Sequence, residues 1–86
     1  MTSDLSLLSF PCDLPIKVLG RNEPEFRAAA LAIVHAHYGD EHSIADQLSR
    51  QGAYLSLTIT VRAETRAQVD AVYHDLVAEP LILMVL

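Results

Sequence analysis

The sequence predicts a two-layer α+β sandwich: a four-stranded antiparallel sheet with both helices on one face. Three observations predict it. One stretch, Tyr54 to Arg62, alternates strictly between apolar and polar residues; two stretches carry helical periodicity behind capping chemistry; and the elements run strand, helix, strand, strand, helix, strand. With 86 residues the chain is one domain, read as residues 10–86 behind an N-terminal extension over residues 1–9.

Pro11 and Pro15 bracket an extended lead-in, after which Ile16-Lys17-Val18-Leu19 reads as the first strand, halted by Gly20. The first helix starts at Asn22-Glu23-Pro24-Glu25: Asn22 as the cap, Glu25 three residues on as in a capping box, and Pro24 in the first turn, where a missing N–H costs nothing. Phe26, Ala29, Ala30, Ile33, Val34 and His37 recur at helical spacing, and Gly39 follows as the stop. His35 and His37 sit in the last turn, where positive charge suits the helix dipole.

His42 to Arg50 is a weaker strand, with Ile44 and Leu48 on one face and Asp46 between them; an acid there marks a sheet edge. Arg50-Gln51-Gly52-Ala53 supplies a hairpin turn. The third strand then places Leu55, Leu57, Ile59 and Val61 on one side and Tyr54, Ser56, Thr58, Thr60 and Arg62 on the other. Thr65 with Gln68 repeats the capping pattern, and Val69, Val72, Tyr73, Leu76 and Val77 mark a helix ending before Pro80. Leu81 to Leu86 closes the chain as a short apolar strand. The whole is a ferredoxin-like, split β-α-β plait, with the first and third strands central.

Apolar residues make up 51% of the chain, charged ones 20%, and the mean hydropathy is +0.26. That composition excludes a disordered chain. A net charge of −5 argues against sequence-independent binding to nucleic-acid backbones or anionic membranes. No apolar run approaches the roughly 20 residues of a membrane helix, and the N-terminus lacks the basic start of a signal peptide. One cysteine, Cys12, forms no internal disulfide and fits a reducing compartment. A cytoplasmic domain is the expectation.

Enzymatic chemistry has little to stand on. His35 and His37, two apart on a helix, diverge by roughly 200° and cannot share a metal ion, and His42 and His74 lie elsewhere. Cys12 stands beside Asp13, which works against a reactive thiolate. There is no nucleophile elbow and no glycine-rich phosphate loop. RNA-recognition domains share this topology, but only Tyr54 offers an aromatic platform, so RNA is not expected. No catalytic residue, metal or cofactor is assigned. The open sheet face, with Lys17, Tyr54, Ser56, Thr58 and Thr60, remains as a polar surface bearing one cation and one aromatic ring.

The segments Phe10-Pro11, Lys17-Val18-Leu19-Gly20, Pro24-Glu25 and Ser49-Arg50-Gln51-Gly52-Ala53-Tyr54-Leu55-Ser56, with the ending Met84-Val85-Leu86, resemble the YbeD family of small bacterial proteins over nearly the whole chain. The resemblance implies a fold similar to ACT regulatory domains, which bind amino acids and control metabolic enzymes, usually as dimers. It also hints at lipoate metabolism, because family members are often encoded beside lipoate-attachment enzymes. The matching positions are Lys17, Gly20, Ser49, Gly52, Tyr54 and Ser56. Gly20 would then sit in the loop before the first helix, where ACT domains hold ligands. Gly20 permits close backbone approach, and Asn22 opens a helix N-terminus with free N–H groups; Glu23 and Glu25 oppose an anion there, offset partly by Arg21 and Lys17.

Two functions follow as expectations. One is a non-enzymatic regulatory domain, a homodimer that binds a small metabolite and acts in trans on a metabolic enzyme. The other is an adaptor that binds another protein through the sheet face or its last strand. Leu81 to Leu86 is apolar on both faces, so either the N-terminal segment carrying Leu5, Leu7, Leu8 and Phe10 or a second subunit should cover it. On that reading Leu83→Lys or Leu86→Lys disrupts assembly or stability more than Thr58→Lys.

Overall fold

The computed structural model of the chain describes residues 9–86; Leu5, Leu7 and Leu8, invoked above as a cover for the last strand, lie outside them. The elements are β1 (Cys12–Arg21), α1 (Pro24–Tyr38), β2 (His42–Leu48), β3 (Tyr54–Ala63), α2 (Arg66–Ala78) and β4 (Ile82–Val85). The four strands form one antiparallel sheet in the order β2-β3-β1-β4, so the first and third strands are central. This is the expected ferredoxin-like arrangement.

The core follows from the alternation. Leu14, Ile16 and Val18 of β1 and Leu55, Leu57, Ile59 and Val61 of β3 all point to one face and are buried against Phe26, Ala30 and Val34 of α1 and Val69, Val72 and Leu76 of α2. Each fully buried aliphatic side chain contributes about 1.5–3 kcal/mol relative to exposure. No helix among the described residues is long and apolar enough to cross a membrane.

β1 is longer than the four residues read from the sequence. It begins at Cys12 and runs through Pro15 and Gly20 to Arg21, paired without interruption along β3. Pro15 is tolerated for a geometric reason. The Lys17 carbonyl accepts from Leu86 N–H at 2.8 Å, on the β4 side, so Pro15, two residues earlier, also turns its nitrogen to that side. β4 pairs with Val18 to Gly20 and does not extend alongside Pro15, so among the described residues no strand there needs the missing donor.

Gly20 does not halt the strand and does not lie in a loop. It is a buried β1 residue on the helix side, covered by the Phe26 ring. Asn22 is likewise not the cap: Glu23 occupies the N-cap position of α1, and its side chain makes no capping bond. At α2 the expected cap is present, Thr65 accepting from Gln68 N–H, while the Gln68 side chain returns to Glu64 N–H at 2.9 Å. Val77, placed on the apolar stripe of α2 by its spacing, is 70% exposed, because the stripe turns away from the sheet at the helix end. β2 stops at Leu48, two residues short of its expected end, where the hairpin turn takes over: Gly52 N–H bonds to Ser49 O, with Gly52 at φ +77°.

Candidate functional site

The sheet face turned away from the helices carries the strongest candidate. Odd positions of β1 and even positions of β3 point there, and the register sets them side by side. Lys17 stands opposite Thr58, Leu19 opposite Ser56 and Arg21 opposite Tyr54; Gln47 of β2 flanks Ser56, and Met84 of β4 flanks Leu19. Together Lys17, Leu19, Gln47, Ser49, Tyr54, Ser56 and Leu86 line a shallow cavity of about 300 Å³.

Its polar groups are partly committed. Ser49 Oγ accepts from Tyr54 N–H at 3.0 Å, which fixes the hairpin's mouth. Ser56 Oγ donates to Gln47 O at 3.3 Å and keeps its lone pairs for a ligand donor. The Arg21 guanidinium lies 5.8 Å from the centroid of the Tyr54 ring, a cation–π distance. Among the described residues neither Lys17 nor Arg21 has a carboxylate within ion-pair distance. The other cation of this face, Arg62, is bound to Asp13 at 3.3 Å. In a chain of net charge −5 this end of the sheet is therefore a local cationic patch over an apolar floor.

Of the positions singled out from the sequence, Lys17, Arg21, Ser49, Tyr54 and Ser56 come together here. Gly20, Asn22 and Gly52 do not. Gly20 faces the opposite side of the sheet. Asn22 and Gly52 face each other instead: Asn22 Nδ2 donates to Gly52 O at 3.0 Å and Asn22 N–H to Ala53 O at 3.0 Å, tying the β1–α1 connection to the hairpin. The N–H groups expected to serve an anion at the N-terminus of α1 are mostly committed. Those of Asn22, Glu23 and Phe26 are bonded to backbone carbonyls, and Pro24 has none to offer, which leaves that of Glu25.

Leu19, Gln47, Met84 and Leu86 were missed in reading this face as polar with one cation. Leu19 and Arg21 were legible in principle, since they continue the parity of Lys17 once β1 is read through Gly20. Leu86 was not, because only the β1–β4 register sets it beside Lys17.

Elsewhere the histidines pair with acids across surface contacts. His37 Nε2 lies 2.7 Å from Asp75 Oδ2, His74 Nδ1 3.5 Å from Asp75 Oδ1, and His35 3.1 Å from Asp40. The bonds from His37, contributing most, and His74 hold the Asp75 carboxyl below the ordinary carboxylate range. Among the described residues no group of three or more His, Cys, Asp or Glu converges as a metal site would require.

Comparison with known proteins places the chain among small bacterial sequences. The model of a family described as protein of unknown function, DUF493, matches residues 5–86. The chain is similar to the UPF0250 protein of Nitrosomonas europaea, 41% identical over 83 residues, covering 94% of this chain and 95% of that protein. It is 39% identical to those of Paraburkholderia phytofirmans and Neisseria gonorrhoeae, again over 94% of this chain and over 93% and 91% of theirs.

Proposed function

The chain belongs to the DUF493 family, the YbeD-like group its sequence resembles, and we propose that it is a non-enzymatic cytoplasmic regulatory domain. It binds a small carboxylate-bearing metabolite on the open sheet face and acts in trans on a metabolic enzyme. One observation carries this reading: Lys17 and Arg21, neither with a carboxylate partner among the described residues, share the sheet face with the Tyr54 ring and the apolar side chains of Leu19 and Leu86. A carboxylate suits the ammonium of Lys17, whose three donors meet no protein acceptor among the described residues. A hydrocarbon or aromatic body suits Leu19, Leu86 and the Tyr54 ring. Four residues of extended strand separate the two cations by about 13 Å, so a single carboxylate pairs with one of them. The apolar floor beside it then suits a hydrocarbon tail, which favours acyl carboxylates, lipoate and its octanoyl precursor among them.

Backbone chemical-shift mapping against amino acids, octanoate and lipoate tests the reading. Saturable shifts centred on Lys17, Leu19, Tyr54 and Ser56, with a rise in melting temperature that Lys17→Ala removes, are the expected result. A panel that moves none of these residues overturns it.

A second reading is supported by β4. Leu83, Met84 and Leu86 are 54, 50 and 60% exposed, an apolar edge of the kind a partner protein covers. In that case the domain is an adaptor, and Leu83→Lys abolishes partner binding while leaving the metabolite shifts intact.

A further inference from the structure

The two edges of the sheet are unlike. β4 is short, and its pairing to β1 is broken by a register shift at Leu19/Gly20, a bulge of the sort that disables an edge. β2 has no such guard among the described residues. It runs seven residues in unbroken register with β3, contains neither Pro nor Lys, and is exposed over nearly its whole length. Its outward backbone groups follow from parity. Ser49 N–H bonds to Tyr54 O, so odd positions of β2 face β3, and Ile44, Asp46 and Leu48 turn their N–H and C=O groups away from the sheet, as His42 does its C=O, the His42 N–H being bonded to Asp40 O at 2.9 Å. A further device that protects an edge, an inward charge, is neutralised within the chain: Arg27 of α1 holds Asp46 Oδ2 at 2.6 Å.

We propose that this edge pairs antiparallel with the same edge of a second copy, about a two-fold axis through Ile44, extending the sheet across both chains. Charge and burial select the register. Centring on Ile44 sets Ile44 against Ile44, whose side chain is 37% exposed in the single chain, and sets each His42 against the partner's Asp46. Centring on Ala45 sets Ile44 against Asp46. Centring on Asp46 sets two carboxylates directly opposite, which is destabilising. His42 is prepared for the first arrangement: its Nδ1–H donates to Gly39 O at 3.1 Å, and in the imidazolium form its Nε2–H is left to donate to the partner's Asp46. Arg27 occupies Oδ2 of that carboxylate and leaves Oδ1 to accept.

Sedimentation equilibrium of the full chain over a wide concentration series, with amide hydrogen exchange at its two ends, tests this. The expected result is a monomer–dimer equilibrium in which the Ile44 and Asp46 amides, turned away from β3 in the single chain, gain protection as concentration rises. Ile44→Lys places two ammonium groups face to face and weakens the dimer about tenfold or more. Register is tested by charge exchange: His42→Asp and Asp46→Lys each weaken self-association, and mixing the two variants restores a heterodimer. Circular dichroism confirms that each variant is folded. The proposal is overturned by a chain monomeric throughout the series, by a dimer whose Ile44 and Asp46 amides exchange freely, by loss of the dimer on Leu83→Lys but not Ile44→Lys, or by failure of the mixed variants to associate.

Discussion

The Phe26 ring occupies the space that a side chain on Gly20 would need: a β-carbon there would overlap three ring atoms. A central strand thus gives up a side chain so that the first buried residue of α1 can lie directly on the sheet, which sets how closely helix and sheet approach. Gly20 is in this way a packing residue.

Gly20→Ala should therefore destabilise the fold by about 1–3 kcal/mol, the range for forcing a methyl group into a filled core. Phe26→Leu in the same chain should recover part of that loss. A double-mutant cycle from denaturant unfolding measures the coupling. Additive effects would mean that Gly20 acts on something other than the ring.

The two residues chosen as helix caps should separate. Thr65→Ala removes a bond to Gln68 N–H and should cost about 1 kcal/mol. Asn22→Ala removes no cap; it cuts the tie to Gly52 O, an exposed bond of about 0.5–1.5 kcal/mol, and should loosen the hairpin. Amide exchange at Gly52 and Ala53 distinguishes this from fraying of α1.

Acid stability should depend on Asp75. Its carboxyl is held below the ordinary value of 3.8 by His37 and His74, so the folded state binds its proton less readily than the unfolded chain. The resulting stabilisation is present above about pH 3.8 and fades as the pH falls through the lower folded value. Asp75→Asn should flatten that part of the stability profile and leave the rest unaltered.

Tyr38 should behave in the opposite sense. Burial above all, then the neighbouring Tyr73 and Cys12, raise its phenol above the usual 10.0, and its hydroxyl is buried without a hydrogen-bond partner among the described residues. Stability linked to it is complete below pH 10.0 and is lost as the pH rises through the higher folded value. Tyr38→Phe should cost nothing at neutral pH, since it removes an unsatisfied buried group, and should improve resistance to alkali. Melting temperatures across the alkaline range decide it.

Lysine substitution should sort the apolar positions by face. Leu83 and Leu86 are more than half exposed, so Leu83→Lys and Leu86→Lys should change the stability of the single chain by no more than about 0.5 kcal/mol, and any larger effect should appear in binding. Ile59→Lys, at a fully buried position, should abolish folding. Thermal unfolding of the three variants beside Thr58→Lys gives the comparison. The stability half of the sequence-based expectation for Leu83 and Leu86 thus has no structural support, and only the assembly half stands to be measured.

The alternation of Tyr54 to Ala63, the spacing of Phe26, Ala30 and Val34, and the capping residues Thr65 and Gln68 are local signals, each readable within one or two turns or a few strand residues. They determined the elements, their order and the plait. The sheet face was partly legible for the same reason, because parity along one strand already assigns Lys17, Tyr54 and Ser56 to a common side. What the tertiary structure alone decided rests on pairs far apart in the chain. Gly20 reads as a strand stop until Phe26 is laid on it, Asn22 as a cap until Gly52 is folded beside it, and Leu86 belongs to no site until β4 registers with β1. Strand pairing and helix–sheet packing set these contacts, and neither is encoded in the periodicity of a single segment.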